Sequence, residues 1–339
     1  MYIVSRKQLY SKRGGPPLKA AVLHTFGSIP RFEDFPEPTI ANGELSVRVL
    51  AVVLENIDKA LASGTHFAAR HLMPALPAIL GFGGIGALED GEVVGFGGMK
   101  PPYGAMAEKA VIPAGSFTPI PDGIDPVKAA AIPASALTSL LPLLGAAGLK
   151  AGESVFIHGA TGVSGMLAVQ IAKLLGAGRI VGTGRDETSL HAVLSLGADA
   201  VIDLKQDDQS LEEAFFGEAR EGLDIILDFV WGHPTEVLLK ALIPRELGFA
   251  KRKVRMIQIG EVAGPTIALP AAALRTSGLE IYGAGTGITS EALSAATKRV
   301  WEWMAHDKLR MEIEPVPLKE VEQAWRRTDL HGKRLVIVP

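Results

Sequence analysis

The chain has 339 residues, a length more typical of two domains than of one. Its 34 basic and 37 acidic residues give a formal net charge of −3, so no broad basic surface for nucleic acid is expected. It contains no cysteine, which excludes disulfides, thiolate nucleophiles, iron–sulfur clusters and zinc sites built on cysteine. This composition fits a reducing, intracellular compartment, and we expect a cytoplasmic protein.

Two segments raise the question of targeting or membrane insertion: the N-terminal residues and one apolar run. Residues 1–19 carry several basic side chains and no apolar stretch, so we interpret residues 1–17 as a basic arm rather than a secretory signal. Residues 129–149 carry no charge and are about long enough to cross a bilayer. Two prolines and several small polar residues interrupt that run, so we expect a buried helix and no membrane partner.

The first third of the chain has a β-like pattern. Short apolar or alternating runs occur at residues 20–23, 45–53, 92–95 and 107–112. Turns rich in proline and glycine separate them. This pattern predicts a β-rich domain.

From Gly152 onward, strand-like and helix-like segments alternate. The predicted strands are residues 154–158, 179–182, 200–204, 223–230 and 255–260. The predicted helices are residues 163–175, 187–196, 211–220 and 236–242. Such alternation predicts an α/β fold with a doubly wound parallel sheet and helices on both faces. The tail, residues 289–339, adds two helical patterns and an extended end.

A glycine-rich turn joins the first strand of this region to its first helix. Residues 159–165 read GATGVSG, in which Gly162 and Gly165 keep the spacing of the G-x-G-x-x-G pattern but alanine replaces its first glycine. Such a turn lets backbone approach a pyrophosphate at the start of a helix, where free N–H groups point at the ligand. We therefore expect Gly162, Val163 and Ser164 to bind a dinucleotide. The alternative is a glycine-rich loop without a ligand.

The end of the second strand indicates which dinucleotide binds. NAD sites usually place an acidic residue there to hold the ribose hydroxyls. Here the strand ends in Thr183 and Gly184, and Arg185 follows where it can meet a 2′-phosphate. These three residues predict NADP(H) rather than NAD(H). In the alternative, Arg185 is solvated and Asp186 holds the ribose.

With these patterns in place, the chain from residue 18 to its end resembles the medium-chain dehydrogenase/reductase superfamily. It is most similar to the zinc-free branch of quinone oxidoreductases and enone reductases. The matching segments are NID (56–58), PAILG (77–81), YGAMAE (103–108), IPASALT (132–138), GADAVID (197–203) and GKR (332–334).

The resemblance implies a discontinuous catalytic domain and an inserted cofactor domain. The catalytic domain, residues 18–134 and 283–339, is expected to form a distorted β-barrel. The Rossmann domain is expected at residues 135–282. Residues 279–282 have the character of an edge strand, which in relatives pairs across a dimer, so a homodimer is expected.

The sequence departs from the zinc-dependent relatives at their metal ligands. A His-Glu pair follows the glycine that corresponds to Gly81 in those relatives, and here Phe82 and Gly83 follow it. The cysteine ligand is also missing. His66 and His71 lie nearby, but no further ligand follows in a zinc-binding pattern. We therefore expect no metal.

Three candidates are predicted for the substrate side. The resemblance suggests that Asn56 holds a substrate carbonyl, although relatives often carry this asparagine one position earlier, where Glu55 stands. Asn56 could instead serve a turn. Thr138 corresponds to a threonine near the nicotinamide, or its hydroxyl could bond the backbone. Tyr103 could donate a proton or line the pocket, with packing as its alternative.

Further cofactor contacts are predicted at two other strand ends and near the C-terminus. Phe229, Ile259 and Gly260 end the fourth and fifth strands, at the carboxyl edge where ligands of such sheets bind. Arg334 resembles a family arginine that reaches the cofactor phosphates. Its alternative is a charged residue without that role.

Three functions remain open at this point. The first is an NADPH-dependent, metal-free reductase of quinones or α,β-unsaturated carbonyls, with the protein supplying position and electric field around a small-molecule substrate. The second is an enoyl-thioester reductase. The third is a protein that binds the cofactor without turnover. Simple alcohol oxidation is disfavoured because it needs a Lewis acid or a strong base, and Tyr103 has no lysine four residues later.

Overall fold

A computed structural model describes residues 17–66, 68–250 and 252–339. The predicted N-terminal arm lies outside these residues except for Pro17. The strands are β1 (Leu18–Leu23), β2 (Arg31–Phe35), β3 (Glu44–Leu54), β4 (Ala78–Ile79), β5 (Gly83–Ala87), β6 (Val93–Gly97), β7 (Lys109–Pro113), β8 (Phe117–Pro119), β9 (Ser154–His158), β10 (Arg179–Gly184), β11 (Ala200–Asp203), β12 (Ile225–Asp228), β13 (Val254–Gln258), β14 (Leu279–Gly283), β15 (Glu312–Pro317) and β16 (Lys333–Val338).

The α-helices connect these strands, and one short 3₁₀ helix, Leu318–Glu320, precedes the last of them. The α-helices are α1 (Asn56–Ser63), α2 (Ala69–Leu72), α3 (Pro126–Leu144), α4 (Val163–Leu174), α5 (Glu187–Ser195), α6 (Asp208–Gly222), α7 (Gly232–Ala241), α8 (Ala271–Thr276), α9 (Ser290–Ala305) and α10 (Val321–Arg326).

The chain divides into two compact units. The β-rich unit comprises the described residues up to Ile132 with Glu312–Leu330 and Arg334–Pro339. The parallel-sheet unit comprises Pro133–Met311 and His331–Lys333. The expected return to the catalytic domain at residue 283 differs from this division, which keeps helix α9 with the parallel sheet. The predicted domain boundaries stay a prediction.

The parallel-sheet unit contains a six-stranded sheet in the order β11-β10-β9-β12-β13-β14. All neighbouring strands in it are parallel. The chain leaves β9 first toward β10 and β11 and later toward β12, β13 and β14, so the direction of winding reverses beside β9. All five residues of β9 are buried, as expected for a strand covered by helices on both faces. The predicted doubly wound α/β fold is confirmed.

The β-rich unit contains a seven-stranded sheet and a small three-stranded sheet, with orders β15-β16-β3-β5-β6-β8 (and β7 beside β3) and β2-β1-β4. Strand β5 was not among the predicted strands, because its residues, GGIGA, carry little apolar signal. Its glycines are required by close packing, because a Cβ atom on Gly86 would lie 2.8 Å from the carbonyl oxygen of Arg48.

One helix among the described residues, α3, is long and apolar enough to cross a membrane. Of its most apolar window, 56% is buried inside the protein. It also contains Pro133 and Pro142. Burial against the protein's own core accounts for this composition, as the sequence analysis expected.

Candidate functional site

The glycine-rich turn lies between β9 and α4, at the carboxyl edge of the parallel sheet. Gly159 opens it with a φ of +92°, a conformation that strongly favours glycine. Gly162 is the N-cap of α4 and offers no side chain to cap it. The first N–H groups of a helix have no partner inside the helix, so those of Val163 and Ser164 remain for a ligand.

Close packing fixes the shape of this turn. A Cβ atom on Gly165 would lie 2.7 Å from the Cα of Ala160, so α4 can approach the turn only without a side chain there. A Cβ atom on Gly159 would lie 2.9 Å from a methyl group of Val230. The glycines therefore determine where the turn and the start of α4 lie.

The end of β10 leaves no room for a carboxylate. A Cβ atom on Gly184 would lie 2.7 Å from the Thr161 hydroxyl oxygen. Arg185 follows and is exposed. Arg185 thus lies at the surface directly after the crowded end of β10, and its contact with a 2′-phosphate stays a prediction.

Asp186 has a structural task. It is the N-cap of α5, and its Oδ2 accepts hydrogen bonds from the backbone N–H of Ser189 at 2.8 Å and from the Ser189 hydroxyl at 2.7 Å. These two bonds, the hydroxyl first, lower the pKa of Asp186, and the charges of His331 and Lys205 lower it further. A carboxylate engaged in capping is less suited to hold a ribose, which favours the interpretation based on Arg185.

Thr183 is fully buried rather than open to a ligand. Its hydroxyl oxygen accepts the N–H of Gly159 at 3.0 Å, and its carbonyl accepts the N–H of Ala160 at 2.8 Å. The Thr183 side chain therefore holds the turn, and the cofactor contact predicted for this residue stays a prediction.

The ends of β12 and β13 are joined through one residue. The carbonyl of Asp228 accepts the N–H groups of Ile259 and Gly260, at 2.8 and 3.1 Å. A Cβ atom on Gly260 would lie 2.6 Å from the carbonyl oxygen of Phe229. Phe229, Ile259 and Gly260 are partly exposed at this edge, where the sequence analysis expected them.

Arg334 belongs to the β-rich unit. It is buried, its guanidinium lies 3.5 Å from the Glu55 carboxylate, and it donates to the carbonyl of Leu54 at 3.5 Å. The preceding His331–Lys333 belongs to the parallel-sheet unit, where a Cβ on Gly332 would lie 3.3 Å from the Thr161 carbonyl. The predicted phosphate contact of Arg334 stays a prediction.

Asn56 is the first residue of α1 and is exposed. A capping box fixes the start of that helix: the Glu55 side chain accepts the N–H of Asp58, and the Asp58 carboxyl accepts the N–H of Glu55 at 2.8 Å. The structure thus presents the Asn56 side chain at the surface of a rigid helix start.

The carboxyl group below Asn56 is unusual. Asp58 is 5% exposed, and burial raises its pKa to about 7. The hydrogen bond from Glu55 and the charge of Arg334 act in the opposite direction, while the charge of Glu55 adds to the increase. Burial likewise lowers the pKa of Arg334. Asp58 is therefore a buried carboxyl group, two residues after the candidate Asn56, that accepts a hydrogen bond at the start of α1.

The other two substrate-side candidates match their structural alternatives in part. Thr138 is exposed on α3, and its hydroxyl donates to the carbonyl of Ser135 at 2.7 Å. Tyr103 is half-buried and packs edge-to-face on Phe35, with ring centroids 5.8 Å apart. Neither arrangement excludes a ligand contact, and the roles predicted for both residues stay predictions.

Sequence reasoning missed the two buried polar residues His158 and Asp228, at the ends of β9 and β12. The available signal was a histidine and an aspartate each closing an otherwise apolar strand. Buried polar residues at such positions require partners. Asp228 finds them nearby in sequence, at Val230, Trp231 and Thr235, whereas His158 pairs with Thr183 on another strand.

Comparisons with known proteins agree with this geometry. The family model "Zinc-binding dehydrogenase" matches residues 164–304. A quinone oxidoreductase of Sus scrofa is 28% identical over 304 residues, 85% of this chain and 85% of that protein. The crystal structure of the quinone oxidoreductase from Thermus thermophilus, also solved with NADPH, is 27% identical and has a TM-score of 0.75 over 95% of this chain and 100% of that one.

A third relative belongs to a larger class of enzyme. A type I polyketide synthase of phenolphthiocerol synthesis from Mycobacterium bovis is 30% identical over 230 residues, which are 64% of this chain. The match covers 10% of the synthase. The chain therefore resembles one part of a multidomain protein.

The residues present do not fit the zinc ion in the family model's description. By the resemblance described in the sequence analysis, Phe82 and Gly83 stand where zinc-dependent relatives carry a His-Glu pair, and the chain has no cysteine. Across residues 17–66, 68–250 and 252–339, no group of three or more His, Asp or Glu side chains could hold a metal. The nucleotide-binding geometry described above does not depend on a metal.

Proposed function

Because the chain belongs to the medium-chain dehydrogenase/reductase superfamily, in its quinone oxidoreductase branch, we propose that it is an NADPH-dependent, metal-free oxidoreductase that reduces a quinone or an α,β-unsaturated carbonyl compound. The observation that carries this proposal is the carboxyl edge of the parallel sheet. There, a helix start without a side-chain cap, a strand end without a carboxylate and an exposed arginine lie in one unit.

NADPH fits these residues. The N–H groups of Val163 and Ser164 would hold its pyrophosphate, helped by the positive end of the α4 dipole. Arg185 would pair with the 2′-phosphate, which the crowded site at Gly184 leaves free of a competing carboxylate. Lys205 adds positive charge near Asp186. The T. thermophilus relative solved with NADPH supports the same choice.

The chemistry divides between cofactor and protein. Bound NADPH supplies a hydride to an electron-poor carbon of the substrate. Negative charge then develops on a carbonyl oxygen, which hydrogen-bond donors stabilise. We assign the Asn56 amide to that oxygen, since the capping box holds it at a fixed helix start. Thr138 would contact the nicotinamide, and Tyr103 would line the pocket or donate a proton.

A second candidate function is the reduction of an enoyl thioester. The match to a polyketide synthase favours it, since such synthases carry their intermediates as thioesters. Both functions share the cofactor site and differ in the carbonyl group that activates the substrate, which is that of a quinone, ketone or aldehyde in the first and that of a thioester in the second. A third possibility, nucleotide binding without turnover, predicts tight NADPH binding and no oxidation.

The proposal also extends to the protein's oligomeric state and its location in the cell. Strand β14 ends the parallel sheet and pairs with β13, so its other edge could pair with a second copy. We propose a soluble homodimer through this strand, in the cytoplasm. Sizing in solution tests it, and a monomer at micromolar concentration would refute it.

The decisive test is a screen of NADPH oxidation over quinones, enals, enones and enoyl thioesters, with a metal assay on the same preparation. We expect turnover with a quinone or an enone in metal-free protein. Faster turnover with thioesters would select the second function, and binding without turnover the third.

A further inference from the structure

Three polar residues form a row beneath the glycine-rich turn: Thr183 on β10, His158 on β9 and Asp228 on β12. His158 and Asp228 are register partners, and the pair Ile157 and Gly182 places Thr183 beside His158 on the other side. Each is fully buried, at 0% exposure. We refer to Thr183, His158 and Asp228 as the polar row.

The two ends of the polar row each hold a loop of the candidate nucleotide site. Thr183 accepts the N–H of Gly159, the first residue of the turn. Asp228 accepts the N–H groups of Val230 and Trp231 through Oδ1, at 2.8 and 3.0 Å, and the Thr235 hydroxyl through Oδ2 at 2.8 Å. The row therefore acts on the backbone at two strand ends.

His158 stands between these two residues and is bonded to one of them. Its Nδ1 lies 2.9 Å from the Thr183 hydroxyl oxygen. Its Nε2 is buried, and the described residues offer it no hydrogen-bond partner. The ring packs near Phe156 and Phe215, with centroids 6.0 and 5.9 Å away.

An unpartnered buried nitrogen is costly, and an apolar residue would avoid that cost. The presence of a histidine at this buried position therefore needs an explanation, and its hydrogen bond to Thr183 offers one. Burial lowers the pKa of His158, so the ring is neutral and one of its nitrogens is an acceptor. The Thr183 hydroxyl oxygen already accepts the N–H of Gly159, so an accepting Nδ1 on His158 gives the hydroxyl proton a partner.

We propose that His158 is a positioning residue for the pyrophosphate-binding turn. Its Nδ1 accepts the Thr183 O–H, and this orients a lone pair of the same hydroxyl toward the N–H of Gly159. Without that acceptor the hydroxyl can rotate, and the first amide of the turn loses its fixed partner. This inference rests on the proposed function for its ligand but not for the hydrogen bonds that it invokes.

Four variants test the chain of bonds. His158→Phe keeps an aromatic ring but removes the acceptor, and Thr183→Val removes the hydroxyl. Both are expected to weaken NADPH binding about tenfold, as for one lost hydrogen bond. The matched variants His158→Asn and Thr183→Ser keep an acceptor and a hydroxyl, and should bind within about twofold of the wild type.

Two further readouts separate positioning from a general loss of stability. Affinity for 2′-AMP, which has no pyrophosphate, should stay unchanged in all four variants. The double variant His158→Phe/Thr183→Val should bind NADPH no more weakly than the weaker single variant, because both remove the same link. Equal losses for 2′-AMP and NADPH, or additive losses, would overturn the proposal.

Amide hydrogen exchange extends the test to protein without ligand. We expect faster exchange at Gly159 and Ala160 in His158→Phe and Thr183→Val, and wild-type exchange in His158→Asn and Thr183→Ser. Unchanged exchange in the first pair would overturn the proposal even if NADPH binds. Faster exchange there, in a protein that does not bind NADPH, would refute the proposed function alone.

Discussion

The two units hold their candidate residues in different ways. In the parallel-sheet unit the candidates are largely backbone groups at strand ends, fixed by glycines such as Gly165 that tolerate no side chain. In the β-rich unit the substrate-side candidates are two side chains, the exposed Asn56 and the half-buried Tyr103, and Asn56 lies at a helix start that also holds the buried Asp58. The first arrangement depends on local chain geometry, and the second depends in part on the ion pair of Glu55 with Arg334, two residues from distant parts of the sequence.

The largest effect is expected from a substitution that disturbs the geometry of the glycine-rich turn. Gly165→Ala places a Cβ atom 2.7 Å from the Cα of Ala160, and should lower the free energy of unfolding by about 3 kcal/mol. NADPH affinity should fall about 100-fold as the turn is displaced. Thermal unfolding and fluorescence titration measure both quantities.

Gly217→Ala is the matched control. Gly217 lies within α6, and a Cβ atom there would meet nothing within 4 Å. Alanine should stabilise the protein by about 0.5–1 kcal/mol because it is the better helix former. If both substitutions had the same effect, the packing account of the turn would be wrong.

The next prediction concerns the pH dependence of the free energy of unfolding, to which a residue of the β-rich unit contributes. The pKa of Asp58 is about 7 in the folded protein and 3.8 in its ordinary state. The folded state thus binds this proton more tightly than the unfolded state does. The protonated Asp58 therefore contributes its full stabilisation of the folded state below pH 3.8, and this contribution is lost as the pH rises to about 7. Each pKa unit corresponds to about 1.4 kcal/mol, so the total is a few kcal/mol.

Asp58→Asn removes this titration and can still accept the N–H of Glu55. As the pH rises from 5 to 8, the free energy of unfolding of Asp58→Asn should increase by roughly 2 kcal/mol relative to that of the wild type. Asp122→Asn, at an exposed position of the same unit, should show no such gain. Denaturant unfolding at the two pH values measures this. A parallel pH dependence of wild type and Asp58→Asn would refute the raised pKa.

A smaller effect tests cofactor selection. Arg185→Ala should weaken NADPH binding by about 10- to 100-fold, the range for a lost charge-assisted hydrogen bond, and leave NADH affinity unchanged. Arg299→Ala removes an exposed arginine from α9 and should change neither affinity. Equal losses for both cofactors would remove Arg185 from 2′-phosphate recognition.

The smallest effect concerns the substrate. Asn56→Ala should lower kcat about tenfold by removing one donor to the developing oxyanion, with NADPH affinity unchanged. Steady-state kinetics on the best substrate of the screen give this value. Undiminished turnover would exclude Asn56 from the mechanism.

The sequence predicted most of the parallel sheet because its strands are short, apolar and separated by helices. It also located the turn, since Gly159, Gly162 and Gly165 are close in sequence. It did not predict that Thr183 holds the turn or that His158 and Asp228 flank one another, because these contacts join three separate strands. Strand β5 was missed because glycine weakens the periodic signal.

In the β-rich unit the sequence named Asn56 but not its surroundings. The capping box of Glu55 and Asp58 is local and could have been found from their spacing. The ion pair of Glu55 with Arg334 could not, since β16 must first lie beside β3. The resemblance assigned Arg334 a cofactor contact, which stays a prediction, and the structure adds its contacts with Glu55 and Leu54.

The central claim is that this edge of the sheet binds NADPH for reduction. The most direct measurement is the rate of NADPH oxidation, against that of NADH, with a quinone and enone panel and metal-free protein. The account predicts turnover with a member of the panel and a preference for NADPH. A preference for NADH, or NADPH binding with no oxidation of any substrate, would contradict it.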